Sequence, residues 1–203
     1  MIKCNVTVSG TICRAAQVRT NKGGKPFITF GLSIVIPSKN GINKNVEINV
    51  AKDGQASSEI STYEVGKRAK ISGTLVFHKR GNNLYWNLSC SNIDFQSVSS
   101  TDEIKGTMEF TGTAGKDVTT KNDKKGNPYV SFSAYSSEKD GENFAYTWVR
   151  FRQFGSSAPE WLQPKSKVQA KGEAEFSIYN DRIDITCLIQ ELKPWIKENV
   201  YNN

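Results

Sequence analysis

Histidine is almost absent from this 203-residue chain, where His78 stands alone, and the four cysteines, Cys4, Cys13, Cys90 and Cys187, are scattered with no CxxC pair among them. That scarcity removes the usual ligand sets for zinc and any disulfide framework, and leaves buried free thiols as the expectation. The chain also lacks an HxE or GxxxxGK[ST] pattern and any nucleophile set beside a base, so neither catalysis nor a cofactor is expected. No apolar run approaches the length of a membrane span, and Met1-Ile2-Lys3-Cys4-Asn5 lacks the basic-then-apolar layout of a signal peptide. These absences point to a soluble, cytoplasmic protein that binds rather than reacts.

Positive charge, in contrast, is in excess and unevenly placed. The formal net charge is +7, which makes a polyanionic partner plausible without specifying one. Residues 1–98 carry 13 Lys+Arg against 5 Asp+Glu, whereas residues 99–203 carry 14 against 15, so the basic excess lies in the first half.

Laid against itself, the chain repeats with a period of about 100 residues. Val8-Ser9-Gly10-Thr11 returns as Phe110-Thr111-Gly112-Thr113, and Lys22-Gly23-Gly24-Lys25-Pro26-Phe27-Ile28-Thr29-Phe30 returns as Lys124-Lys125-Gly126-Asn127-Pro128-Tyr129-Val130-Ser131-Phe132. The strand ending at Gly73 matches the one ending at Gly172, and Asn87-Leu88-Ser89-Cys90 matches Asp184-Ile185-Thr186-Cys187. Each half reads as about five strands of period-two alternation punctuated by Gly, Asn, Asp and Pro, with a helix expected between the third and fourth strands at 56–63 and 158–162. A five-stranded Greek-key barrel with its helix inserted there is the OB-fold, which commonly holds oligonucleotides on its strand 2–3 face. The expected fold is therefore all-β, two tandem OB-fold barrels: 1–96, a serine-rich linker at 97–105, 106–196, and a short tail at 197–203.

Alternation sorts the side chains. Ile28, Phe30, Leu32 and Ile34 form the inward phase of one strand and leave Phe27 outside; Val130, Phe132 and Ala134 repeat this and leave Tyr129 and Tyr135 outside. In Thr147-Trp148-Val149-Arg150-Phe151-Arg152, the residues Val149 and Phe151 point inward, so Trp148, Arg150 and Arg152 share the outer face. Aromatic rings that stack any base, beside guanidinium groups that neutralise phosphate, suit an unpaired nucleic acid. In the first half Glu47 and Asn49 replace Trp148 and Arg150, and the candidate contacts are instead Arg19, Lys22 and Lys25, then Lys79 and Arg80 beside His78, with Tyr85 following. Trp86 is expected in the core, and Trp161 is expected to pack under the helix of its own segment.

The motif from Thr147 to Gly155, followed by Glu160-Trp161-Leu162-Gln163-Pro164-Lys165 and the strand to Gly172, resembles the bacterial-type single-stranded DNA-binding protein family. Residues 21–30 and 63–73 resemble the same family without the Trp. The resemblance implies sequence-independent binding of single-stranded DNA in replication, recombination or repair, with Trp148 and Arg150 as the leading contacts. Members of that family commonly carry one barrel per chain, form tetramers and end in an acidic tail; two fused halves and an ending without an acidic run imply a monomer or dimer of phage or mobile-element type. Replication or recombination proteins are the implied partners. An RNA-binding module and a protein-interaction scaffold at a replisome are the other readings that these barrels allow.

Overall fold

A computed structural model describes residues 1–38, 41–54 and 57–196; the tail expected at 197–203 lies outside the described residues. In chain order the elements are β1 (Ile2–Thr20), β2 (Pro26–Ile36), β3 (Lys44–Asp53), α1 (Ser57–Ile60), β4 (Arg68–Arg80), β5 (Asn83–Asp94), β6 (Glu103–Asn122), β7 (Pro128–Asp140), β8 (Asn143–Phe154), β9 (Lys167–Tyr179) and β10 (Arg182–Pro194). The protein is all-β, and no helix among the described residues is long and apolar enough to cross a membrane.

Strand pairing closes each half on itself. In the first, β1 pairs with both β2 and β4, β2 with β3, β3 in parallel with β5, and β5 with β4. The second repeats the ring: β6 pairs with β7 and β9, β7 with β8, β8 in parallel with β10, and β10 with β9. A strand that serves two partners in succession must bend between them, and β1 changes partner where Gly10 pairs with Ala69 and Thr11 with Ser33. A Cβ at Gly10 would lie 2.5 Å from the Ser33 carbonyl oxygen, and one at Gly112 only 2.2 Å from that of Tyr135. Both bends therefore require a residue without a side chain.

The helices expected between the third and fourth strands are the main departure. The first half holds a single turn, Ser57–Ile60, and the second holds none. Pro159 and Pro164 bias the residues before them away from helix, so too few positions remain between them to nucleate one. What occupies the place is a plug: Tyr63 stacks on Phe30 with ring centroids 5.0 Å apart, and Leu162 is buried in the matching position of the second half.

The two rings are joined through a strand pair and a shared core. β1 and β6 run antiparallel from Ile2 opposite Phe110 to Ser9 opposite Glu103. Phe176 of β9 packs its ring 5.0 Å from Trp86 and 6.0 Å from Phe77, both from the first half, so the apolar cluster is continuous across the chain. The residues between β5 and β6 are tied down as well. Asp102 accepts hydrogen bonds from Arg68 at 2.7 Å and from the Val35 N–H at 2.8 Å, and Arg68 also donates to the Ser99 carbonyl. Cys4 and Cys187 are buried as expected, and burial pushes both thiols up to about 12; Cys13 is exposed and Cys90 half-buried, which corrects the expectation for those two.

Candidate nucleic-acid interface

The inward phase read from alternation is the one that packs. Ile28, Phe30, Leu32 and Ile34 are buried in the first half, as are Val130, Phe132, Ala134, Val149 and Phe151 in the second. Phe151 stacks on Phe132 at 4.9 Å and meets Phe110 edge-on at 4.8 Å, which fixes the rotation of β8 and so turns its alternate side chains outward.

On that outer face the register of β7 and β8 builds a column of cross-strand pairs. Ser137 faces Tyr146, Tyr135 faces Trp148, Ser133 faces Arg150, Ser131 faces Arg152 and Tyr129 faces Phe154. Trp148 is 51% exposed, although its ring lies 4.9 Å from that of Tyr135, which in turn meets Tyr146 edge-on at 5.3 Å. Phe154 is exposed and sits 5.4 Å from the Tyr129 ring. Small serines opposite the two arginines leave the middle of the column open, with aromatic clusters at its two ends. Five of the expected residues, Tyr129, Tyr135, Trp148, Arg150 and Arg152, thus share one surface.

The arginines are not equivalent. Arg150 lies 3.4 Å from an Asp184 carboxylate oxygen and 5.9 Å from the centre of the Tyr179 ring, whereas Arg152 has no ion-pair partner among the described residues. Tyr146, Phe144 and Phe154 were not among the expected contacts, yet all three are exposed in the Trp148 phase. Continuing the Trp148 alternation back to Phe144 and forward to Phe154 is the signal that finds them.

The first half presents a different surface. Phe27, half-buried, and Arg19 line a groove of about 410 Å³ with Asn49 and Asn87. Arg14 donates to Glu47 at 2.8 Å and to Asn49 at 2.6 Å, so the positions matching Trp148 and Arg150 are filled by an internal polar network. Lys22 and Lys25 are exposed in the β1–β2 turn, where Lys25 pairs with Asp53 at 2.8 Å. Tyr85 is exposed on β5 opposite His78.

Lys79 and Arg80 sit elsewhere, in the β4–β5 hairpin, which docks on the second half. Glu138 takes hydrogen bonds from the Lys79 N–H and lies 2.9 Å from His78 Nδ1; Asp140 accepts from the Gly81 N–H at 3.1 Å and lies 3.6 Å from Arg80. Lys79 Nζ donates to the Tyr146 carbonyl at 3.1 Å, which brings this first-half cation to the end of the aromatic column.

Solved structures similar to this chain include single-stranded DNA-binding proteins. A deletion mutant of the single-stranded DNA binding protein from Thermus aquaticus is similar with a TM-score of 0.47 and 16% identity, over 98% of both chains. The small single-stranded DNA-binding protein from Streptomyces coelicolor is similar over 48% of this chain and 93% of its own, with a TM-score of 0.35 and 17% identity. A Plasmodium falciparum SSB complex with ssDNA is similar over 44% of this chain and 90% of its own, with a TM-score of 0.33 and 19% identity. No family model matches the chain, and no curated protein matches it. At such low identity the functional reading is carried by the chain's own residues.

Proposed function

We propose that the protein binds single-stranded DNA without sequence preference across the outer face of β7 and β8. In this reading residues 1–96 and 106–196 are tandem OB-type barrels joined by 97–105, and the chain is a binding module rather than a catalyst. One observation carries it: Trp148, half exposed and in ring contact with the half-buried Tyr135, shares a single cross-strand column with Arg150 and Arg152. Core packing gives no reason for an indole to be half exposed beside two guanidinium groups, whereas unpaired bases and their phosphates require that mixture. Sequence tolerance follows because every base offers a π-face. The setting is replication, recombination or repair, in which the chain works as a monomer or dimer beside the proteins of those processes.

The test is Trp148→Ala, titrated with oligo(dT) over a range of salt concentrations. Stacking of one base is worth about 1–3 kcal/mol, so affinity falls by that amount while the salt slope stays unchanged. Wild-type affinity in the variant would overturn the assignment of this face. Competition between poly(dT) and poly(U) reports the polymer, and a preference for poly(U) would replace DNA with RNA at the same site.

A further inference from the structure

Beside Trp148 the column opens into a cleft of about 670 Å³ between the two halves. Tyr146 and Trp148 form part of one wall and Lys44 and Lys79 part of the other, with Asp181 from the turn between β9 and β10 and Arg182 from the start of β10 at its edge. The two lysines of this cleft are bound to backbone carbonyls. Lys79 Nζ donates to the Tyr146 carbonyl and Lys44 Nζ to the Asp181 carbonyl, so each reaches across from the first half to a neutral acceptor of the second. Neither lysine nor Arg182 has an ion-pair partner among the described residues. The Asp181 side chain is the one carboxylate among the lining residues, so three positive groups face one negative group.

We infer that this cleft is a phosphate-binding site made jointly by the two halves, which carries the backbone of a single strand from the aromatic column onto the first half. The inference rests on the function proposed above and extends it from one face to a path. Three features argue for it. The cleft is continuous with the column through Trp148 and Tyr146, so a strand stacked there has its next phosphates at the cleft mouth. A lysine bound to a neutral carbonyl gains by exchanging it for an anionic phosphate oxygen, since charge-assisted hydrogen bonds are roughly twice as strong as neutral ones. The first half has its basic excess but no aromatic column of its own, and this path gives those charges contact with a strand that is held elsewhere.

The experiment compares wild type, the double variant Lys44→Ala/Arg182→Ala, Lys44→Arg and Trp148→Ala, each titrated across salt concentrations. Two oligo(dT) lengths are used, about 4 and about 16 nucleotides, the ends of the range that one OB-type barrel covers. With the long oligonucleotide the double variant loses about 0.7 of salt slope for each cation removed. With the short one it matches wild type, and Lys44→Arg keeps the wild-type slope at both lengths. An unchanged slope on the long oligonucleotide, with Trp148→Ala still weakening binding, would overturn the cleft and leave the face standing. If Trp148→Ala is also without effect, both readings fall. A double variant that binds both lengths equally weakly at wild-type slope, with a lowered Tm, would show that Lys44 and Arg182 only brace the two halves, and that too would overturn the inference.

Discussion

At the scale of single residues, what matters is which groups are free to bind. Trp86 and Trp148 are the same residue type on strands of the same protein, and one is 1% exposed while the other is 51% exposed. Quenching of tryptophan fluorescence by single-stranded DNA therefore reports Trp148 and not Trp86. Arg150 shares its charge with Asp184, whereas Arg152 does not, and this difference is testable. Asp184→Asn keeps the shape, removes the competing carboxylate and frees Arg150, so affinity for oligo(dT) rises at low salt and the slope steepens by about 0.7; an unchanged slope would show that Arg150 does not meet phosphate. Alternation made the Trp148 phase legible from Val149 and Phe151 alone, because a β-strand leaves only two choices. The Asp184 contact was not legible, since it joins strands that are paired in parallel and distant in sequence.

At the scale of elements, the repeat extends to single hydrogen bonds. In the β1–β2 turn Asn21 Oδ1 accepts from the Gly23 and Lys25 N–H groups, and in the β6–β7 turn Asp123 Oδ1 accepts from Lys125 and Asn127. An amide does in the first half what a carboxylate does in the second. Hydrogen bonds from the Asn127 backbone and side chain, and then from Lys125, hold the Asp123 carboxyl below its ordinary range. A depressed folded-state pKa means that the turn is fully supported above the ordinary carboxylate range and loses that support as pH falls through the lowered value. In an NMR titration the Lys125 and Asn127 amide resonances shift in that acid window, those of Gly23 and Lys25 do not, and Asp123→Asn abolishes the difference. Shifts of equal size at both turns would refute it. The expected helices fell short at this scale for local reasons: Pro159 and Pro164 leave only four residues between them, and the first half closes a single turn, Ser57–Ile60, so neither segment is long enough to repay the cost of nucleation.

At the scale of the whole molecule, two rings that read as separate units in sequence share one apolar cluster. Phe176 reaches across the boundary to Trp86 and Phe77, a contact that no comparison of the halves reveals, because a repeat shows what they have in common and not how they meet. Phe176→Ala should cost about 3–5 kcal/mol, as for other large-to-small changes in a core. Calorimetry of the wild type should show one cooperative transition, because neither half can open without exposing the other's core. Two separated transitions, with the variant moving only one, would contradict a shared core.

The antiparallel seam of β1 and β6 has a consequence for how the molecule specialises. Because both strands belong to one polypeptide, the partners meet at every dilution and always in equal number. Neither has to remain able to pair with a copy of itself. One half is thereby released to trade its stacking surface for the Arg14–Glu47–Asn49 network while the other keeps the rings, a division of labour that an assembly of identical subunits could not encode.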